Sequence, residues 1–219
     1  MLHLIISTPR SGSNSLCRLL AGQYSATNLY EPVTDHRNKD NELTTPITLI
    51  VKQLIERAKT EDVVAKFHVN HLLMLYPQDI NVINDLFSNS KLYYCFRLNF
   101  TDQVKSIHGI TETGICDART DHKNLNFTGA AAKHIVNDLI NEISIMGEWY
   151  KSFSGELCVL ENKKETYSVN GFTKYNDTYS YTYDSAFTQT FVEQHVDVLE
   201  VFNKGNTLYK LFRGVRQSG

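Results

Sequence analysis

Short apolar runs and segments with helical spacing take turns along the chain. Leu2 to Ile6 is an apolar run that stops at Ser7-Thr8-Pro9, where proline denies a ladder donor, so it predicts a buried strand. From Ser13 onward Leu16, Leu19 and Leu20 recur at helical spacing beside Cys17 and Ala21, and Gly22 is placed to end that helix. Asn28 to Tyr30 reads as a brief extended piece, Ile47 to Lys59 as a helix, and Val63 to Phe67 as a β-branched strand. Ile80 to Phe87 predicts a short helix, Leu92 to Phe96 a strand, Asp102 to Ile107 the start of a helix, Ala130 to Phe153 a long helix, and Leu157 to Leu160 a strand. Residues 166 to 185, rich in Tyr, Thr, Ser and Asn, suit either a hairpin or a long surface loop. Phe187 to Val201 reads as a helix, and Leu208 to Phe212 as a final strand or arm after a Gly205-Asn206 turn.

Strands that alternate with helices predict an α/β fold in three layers: a mostly parallel sheet with helices on both faces. No repeat, charge block or low-complexity linker divides the chain, so residues 1–219 are expected to form one domain, and 42% hydrophobic residues can fill its core. The 22 basic and 24 acidic residues leave a formal charge of -2, which gives no field to draw nucleic acid or an anionic membrane. Any anion site must be local. The opening apolar run is too short for a signal peptide or a membrane span, and a soluble cytoplasmic protein is expected. Cysteines 17, 95, 116 and 158 form no Cys-x-x-Cys pair, so neither a zinc site nor a disulfide framework is indicated.

The candidate chemistry begins at the first predicted strand-to-helix turn, Thr8-Pro9-Arg10-Ser11-Gly12-Ser13-Asn14-Ser15. A turn there presents backbone N–H groups at the positive end of a helix dipole, at the carboxyl edge of the sheet. Gly12 permits close approach of a phosphate, Ser11, Ser13, Ser15 and Asn14 offer further donors, and Arg10 adds a forked cation. An ordinary capped helix would use the same residue types, since Ser and Asn are favoured N-caps. The turn lacks both the first glycine and the lysine of a nucleoside-triphosphate P-loop.

The pattern Thr8-Pro9-Arg10-Ser11-Gly12-Ser13, then Leu16, resembles the loop with which sulfotransferases hold the 5′-phosphosulfate of 3′-phosphoadenosine 5′-phosphosulfate. It is most similar to that of the trehalose-type bacterial carbohydrate sulfotransferases and the tyrosylprotein sulfotransferases, which usually carry Thr where this chain has Asn14. A second similarity lies at Tyr94-Cys95-Phe96-Arg97 and Ser106, nine residues on, where the family holds the 3′-phosphate with an arginine closing a strand and a serine in the next helix. The proline that often follows that arginine is missing, and Arg97 and Ser106 could equally be a strand-end cap and an exposed helix residue. The resemblance covers residues 2–31 and 92–107. It implies a P-loop-like nucleotide-binding architecture, an enzyme, and a metal-free reaction that leaves adenosine 3′,5′-bisphosphate.

Sulfuryl transfer to a hydroxyl needs charge stabilisation on the departing phosphate and removal of the acceptor proton. The resemblance gives Arg10 the first task and Ser11 to Ser15 the grip on the phosphosulfate. Glu31, in Leu29-Tyr30-Glu31-Pro32, stands where related enzymes keep a catalytic glutamate, and partial burial is expected to lift its pKa toward neutrality. His36, His68 and His71 are rival bases, and Lys66-Phe67-His68 resembles a lysine-bearing strand end of the family that lines the acceptor cleft. The expected partner is a small-molecule or carbohydrate hydroxyl acceptor, with carbohydrate preferred. A catalytically silent nucleotide-binding relative and a P-loop-like nucleotide kinase remain alternatives.

Overall fold

The central strand β1 (Leu2–Ser7) lies between β3 (Val63–His68) and β4 (Ser90–Arg97), parallel to both. β2 (Thr27–Asn28) and β5 (Glu156–Leu160) add parallel edges and complete a five-stranded sheet of order β2-β3-β1-β4-β5. This computed structural model describes residues 1–40, 42–75, 79–97, 100–113, 129–160, 168–169 and 172–173. The chain leaves β1 toward the β2–β3 side and later crosses to β4 on the other, so the exits of β1 and β4 diverge. Such a reversal opens a crevice at the carboxyl ends of the strands.

Period-two alternation sorts the strand residues onto two faces. Leu2, Leu4 and Ile6 of β1, Val63, Ala65 and Phe67 of β3, and Leu92 and Tyr94 of β4 join one core cluster. That cluster is covered by α3 (Ile47–Ala58), α5 (Ile80–Ser88) and α7 (Gly129–Ser152), which contribute Val51, Leu54, Ile83, Leu86, Ile143 and Met146. The opposite face, with Ile5, Val64, Tyr93 and Cys95, is covered by Leu16, Cys17 and Leu20 of α1 (Ser13–Tyr24). The expected α/β arrangement, a parallel sheet with helices on both faces, is therefore present. Burial pushes the Cys17 thiol up to about 12, so this cysteine behaves as a small hydrophobe.

Several boundaries differ from the expectation. α1 runs through Gly22 to Tyr24 and ends at Ser25, whose left-handed backbone (φ 52°) turns the Ala26 N–H back to the Ala21 carbonyl at 3.0 Å. Gly22 is exposed, where a helical glycine costs only about 1 kcal/mol, too little to stop a helix whose apolar side is buried. Two short helices, α2 (Pro32–Asp35) and α4 (Val69–Leu73), went unpredicted because so few residues show no period. α6 (Phe100–Thr113) extends well past the predicted start. Within the Tyr-rich stretch, β6 (Ser168–Val169) and β7 (Phe172–Thr173) pair antiparallel, which favours the hairpin there. The expected helix 187–201, the arm 208–212 and the Gly205-Asn206 turn lie outside the described residues. Among the described residues, no helix is long and apolar enough to cross a membrane.

β5 is seated by Gly155. A Cβ built there would lie 2.8 Å from both the Leu92 carbonyl oxygen and Tyr94 Cε2. The carbonyl belongs to the sheet and cannot retreat, so Gly155→Ala should cost about 1–3 kcal/mol, read as a lower urea midpoint with an unchanged slope. An unchanged midpoint would show that β5 can lift off the sheet without loss.

Candidate active site

The turn between β1 and α1 is built for close approach. Arg10 (φ 58°) and Gly12 (φ 85°) both take the left-handed conformation, which costs a non-glycine residue about 1–2 kcal/mol and persists only where the surroundings enforce it. Here α6 enforces it. The buried amide of Gln103 donates to Thr8 Oγ1 at 2.7 Å and to the Pro9 carbonyl, while Arg10 Nε donates to the buried Ser106 Oγ at 2.8 Å. From β4, Arg97 Nη1 donates to the Arg10 carbonyl at 3.4 Å. Arg10, Arg97 and Ser106, far apart in sequence, are thus gathered at the switch point.

Gly12 is the N-cap of α1 and, as a glycine, brings no side chain to the cap. Its carbonyl accepts from the amides of Ser15 at 2.9 Å and Leu16 at 3.4 Å, whereas the first N–H groups of a helix have no intrahelical acceptor. The N-cap position is thus held by a left-handed glycine rather than by Ser or Asn. Ser11, Ser13 and Ser15 are buried beneath the turn, and Asn14 is exposed.

The same alternation that puts Val64 against α1 puts Lys66 and His68 on that face, at the end of β3. Lys66, only 4% exposed, donates to Ser13 Oγ at 3.4 Å and lies 3.7 Å from Glu31 Oε2. Its backbone N–H donates to the Tyr30 carbonyl, which draws residues 30 and 31 to the sheet edge. Glu31 caps α2 with its carbonyl only, so its carboxylate faces the cluster: His68 Nε2 sits 2.7 Å from Oε1. Ser7 Oγ meets His68 Nδ1 at 3.1 Å from the neighbouring strand. Ser7 and Glu31 thus engage the two ring nitrogens of His68, with the Nε2 proton facing the Glu31 carboxylate.

The expected rise in the Glu31 pKa is not found. Burial does push it upward, but the His68 hydrogen bond and the nearby His68, Lys66 and His71 charges outweigh burial and hold it at about 2. His71, whose ring lies 5.3 Å from that of His68, is driven down to about 4 by burial first and then by the His68 charge. His36 closes the far end of α2. Among the described residues, no group of three His, Cys, Asp or Glu side chains is arranged to hold a metal.

Of the sequence-predicted residues, Arg10, Arg97 and Ser106 are joined on one side of the β1–α1 turn, and Ser13, Lys66, Glu31, His68 and His71 on the other, while among the described residues no side-chain contact ties His36 or Asn14 to either group. Arg10 bonds toward Ser106 on the α6 side, and the cation between the turn and Glu31 is Lys66. Gln103 and the bridging position of Lys66 were missed. A lysine inside the buried run Val63–Phe67 was the available signal, because a charge there must find partners. No family model matches this chain, and no curated protein matches it significantly.

Proposed function

We propose that this protein is a sulfotransferase that moves the sulfuryl group of 3′-phosphoadenosine 5′-phosphosulfate to a carbohydrate hydroxyl. The observation that carries this reading is Lys66, which reaches Ser13 of the β1–α1 turn on one side and Glu31 on the other. An anion-binding turn of P-loop-like kind and a proton acceptor then flank a single buried cation, as transfer from an anionic donor to a hydroxyl requires.

In this reading the α1 amides, with Ser11 to Ser15, receive the phosphosulfate, and Arg97 with Ser106 takes the 3′-phosphate. The acceptor oxygen forms the new S–O bond as the bridging bond between sulfur and the phosphate oxygen breaks. The electron pair leaves with adenosine 3′,5′-bisphosphate, whose charge Arg10 and Lys66 stabilise. The acceptor proton goes to Glu31, which His68 orients. A carboxylate held at about 2 is ionised and ready at neutral pH, but it is a weak base. It serves if the proton leaves late, once bonding to sulfur has made the hydroxyl acidic.

Calorimetry with adenosine 3′,5′-bisphosphate on the native chain and on Arg97→Ala tests the nucleotide half. Loss of that charged contact should cost about 2–3 kcal/mol, roughly 30- to 150-fold in affinity. Unchanged affinity would discard the Arg97 assignment. Tighter binding of ATP with magnesium than of the bisphosphate would favour a kinase.

A further inference from the structure

Tyr30 is a residue that neither the turn nor the acid–base cluster uses, yet its backbone is held in place at some cost. It takes φ 49°, a left-handed conformation that a residue of this bulk rarely adopts. Asn28 Oδ1 accepts from its N–H at 2.9 Å, and its carbonyl accepts from the Lys66 N–H at 2.6 Å. The constraint leaves the side chain 40% exposed, directly before Glu31. The other large exposed hydrophobics of the described residues, Met1, Leu49, Met74 and Ile80, belong to other elements. Arg18 Nε donates to the Tyr30 hydroxyl at 3.4 Å, and Arg18 lies one helical turn from the exposed Asn14 on α1. Tyr30 is thus a partly exposed aromatic residue, tied by its hydroxyl to Arg18 and next in the chain to Glu31.

We propose that Tyr30 is the platform for the acceptor sugar, stacking on the apolar C–H face of a pyranose ring so that one hydroxyl is presented to Glu31. This rests on the sulfotransferase reading for the reaction, but not for binding. A lipid or steroid acceptor would need apolar walls, and Arg18 and Glu31, beside Tyr30, are polar. A pyranose has one face suited to an aromatic ring and an equatorial belt of hydroxyls suited to Arg18.

Two readouts test it. Methyl glycosides of several hexoses are offered to the native chain in the presence of adenosine 3′,5′-bisphosphate, and contact is read by saturation-transfer NMR. Turnover is read with the radiolabelled donor, with tyramine and a long-chain alcohol as competing acceptors. Tyr30→Gly and Tyr30→Asn both accept the left-handed backbone, so their melting temperatures should not fall. In both, acceptor KM should rise about 3- to 10-fold, the value of one aromatic contact, with kcat and bisphosphate affinity little changed. Tyr30→Phe should stay near native. Saccharide contact that is lost in Tyr30→Gly, without sulfonation by the native chain, would retire the transfer reaction and keep the platform. Native KM in both variants, preference for tyramine or the alcohol, or no saccharide contact in the native chain would each overturn it.

Discussion

Glu31→Gln is expected to lower turnover by roughly 10²- to 10⁴-fold, the usual worth of a positioned general base, while affinity for adenosine 3′,5′-bisphosphate stays within a factor of about two. Glutamine keeps the volume and can still bond to His68, but it cannot take the acceptor proton. Because the neighbouring imidazole and ammonium hold Glu31 at about 2, the native rate should not fall between pH 8 and pH 5 through this group. Radiolabelled sulfuryl transfer across that range checks both points. Full activity in Glu31→Gln, or an acid limb near neutrality that disappears in His68→Gln, would hand the proton to His68.

The second large effect concerns stability and rests on a buried carboxyl of α7. Glu142 of α7 is 8% exposed, and its Oε2 has no hydrogen-bond partner among the described residues. Burial first, and then the Asp138 charge one turn earlier, raises its pKa to about 8 from the ordinary 4.5. The folded chain therefore holds a proton that the unfolded chain has already lost between those two values, and stability falls as pH rises through that window. At roughly 1.4 kcal/mol per pH unit the full loss is on the order of 3–5 kcal/mol by pH 9. Glu142→Gln, an isostere of the protonated acid, should match the native chain near pH 4.5 and exceed it by that amount at pH 9 in urea unfolding. Equal stability of the two at pH 9 would mean that a cation already meets the carboxylate.

On the acid side the signs reverse. His71 must take up a proton to unfold, so its contribution is lost as pH falls from the ordinary 6.5 toward about 4. Glu31 follows between 4.5 and about 2. The native chain should thus be most stable at mildly acidic pH, and Glu142→Gln should move that optimum upward.

Much of the scaffold was legible because its signals are local. β1, β3 and β4 are short, largely apolar runs whose alternate members serve the two cores, and α3, α5 and α7 carry apolar stripes at helical spacing. The turn could be found from Ser11 to Ser15 standing between a strand and a helix, and Arg97 from its place at a strand end. Helices as short as α2 and α4 carry no period, and Gly22 was a misleading stop because its cost is smaller than the burial on either side of it.

What the chain order by itself determined is the layer architecture and the residues available at the ends of its strands, since alternation and helical spacing depend only on near neighbours. Tertiary structure alone decided who meets whom. Arg10 reaches Ser106 across 96 residues, Lys66 reaches Ser13 across 53, and His68 and Lys66 reverse the effect of burial on Glu31. Those contacts follow from the strand order, which sets β3 and β4 on either side of β1, and charge interactions act through space rather than along the chain.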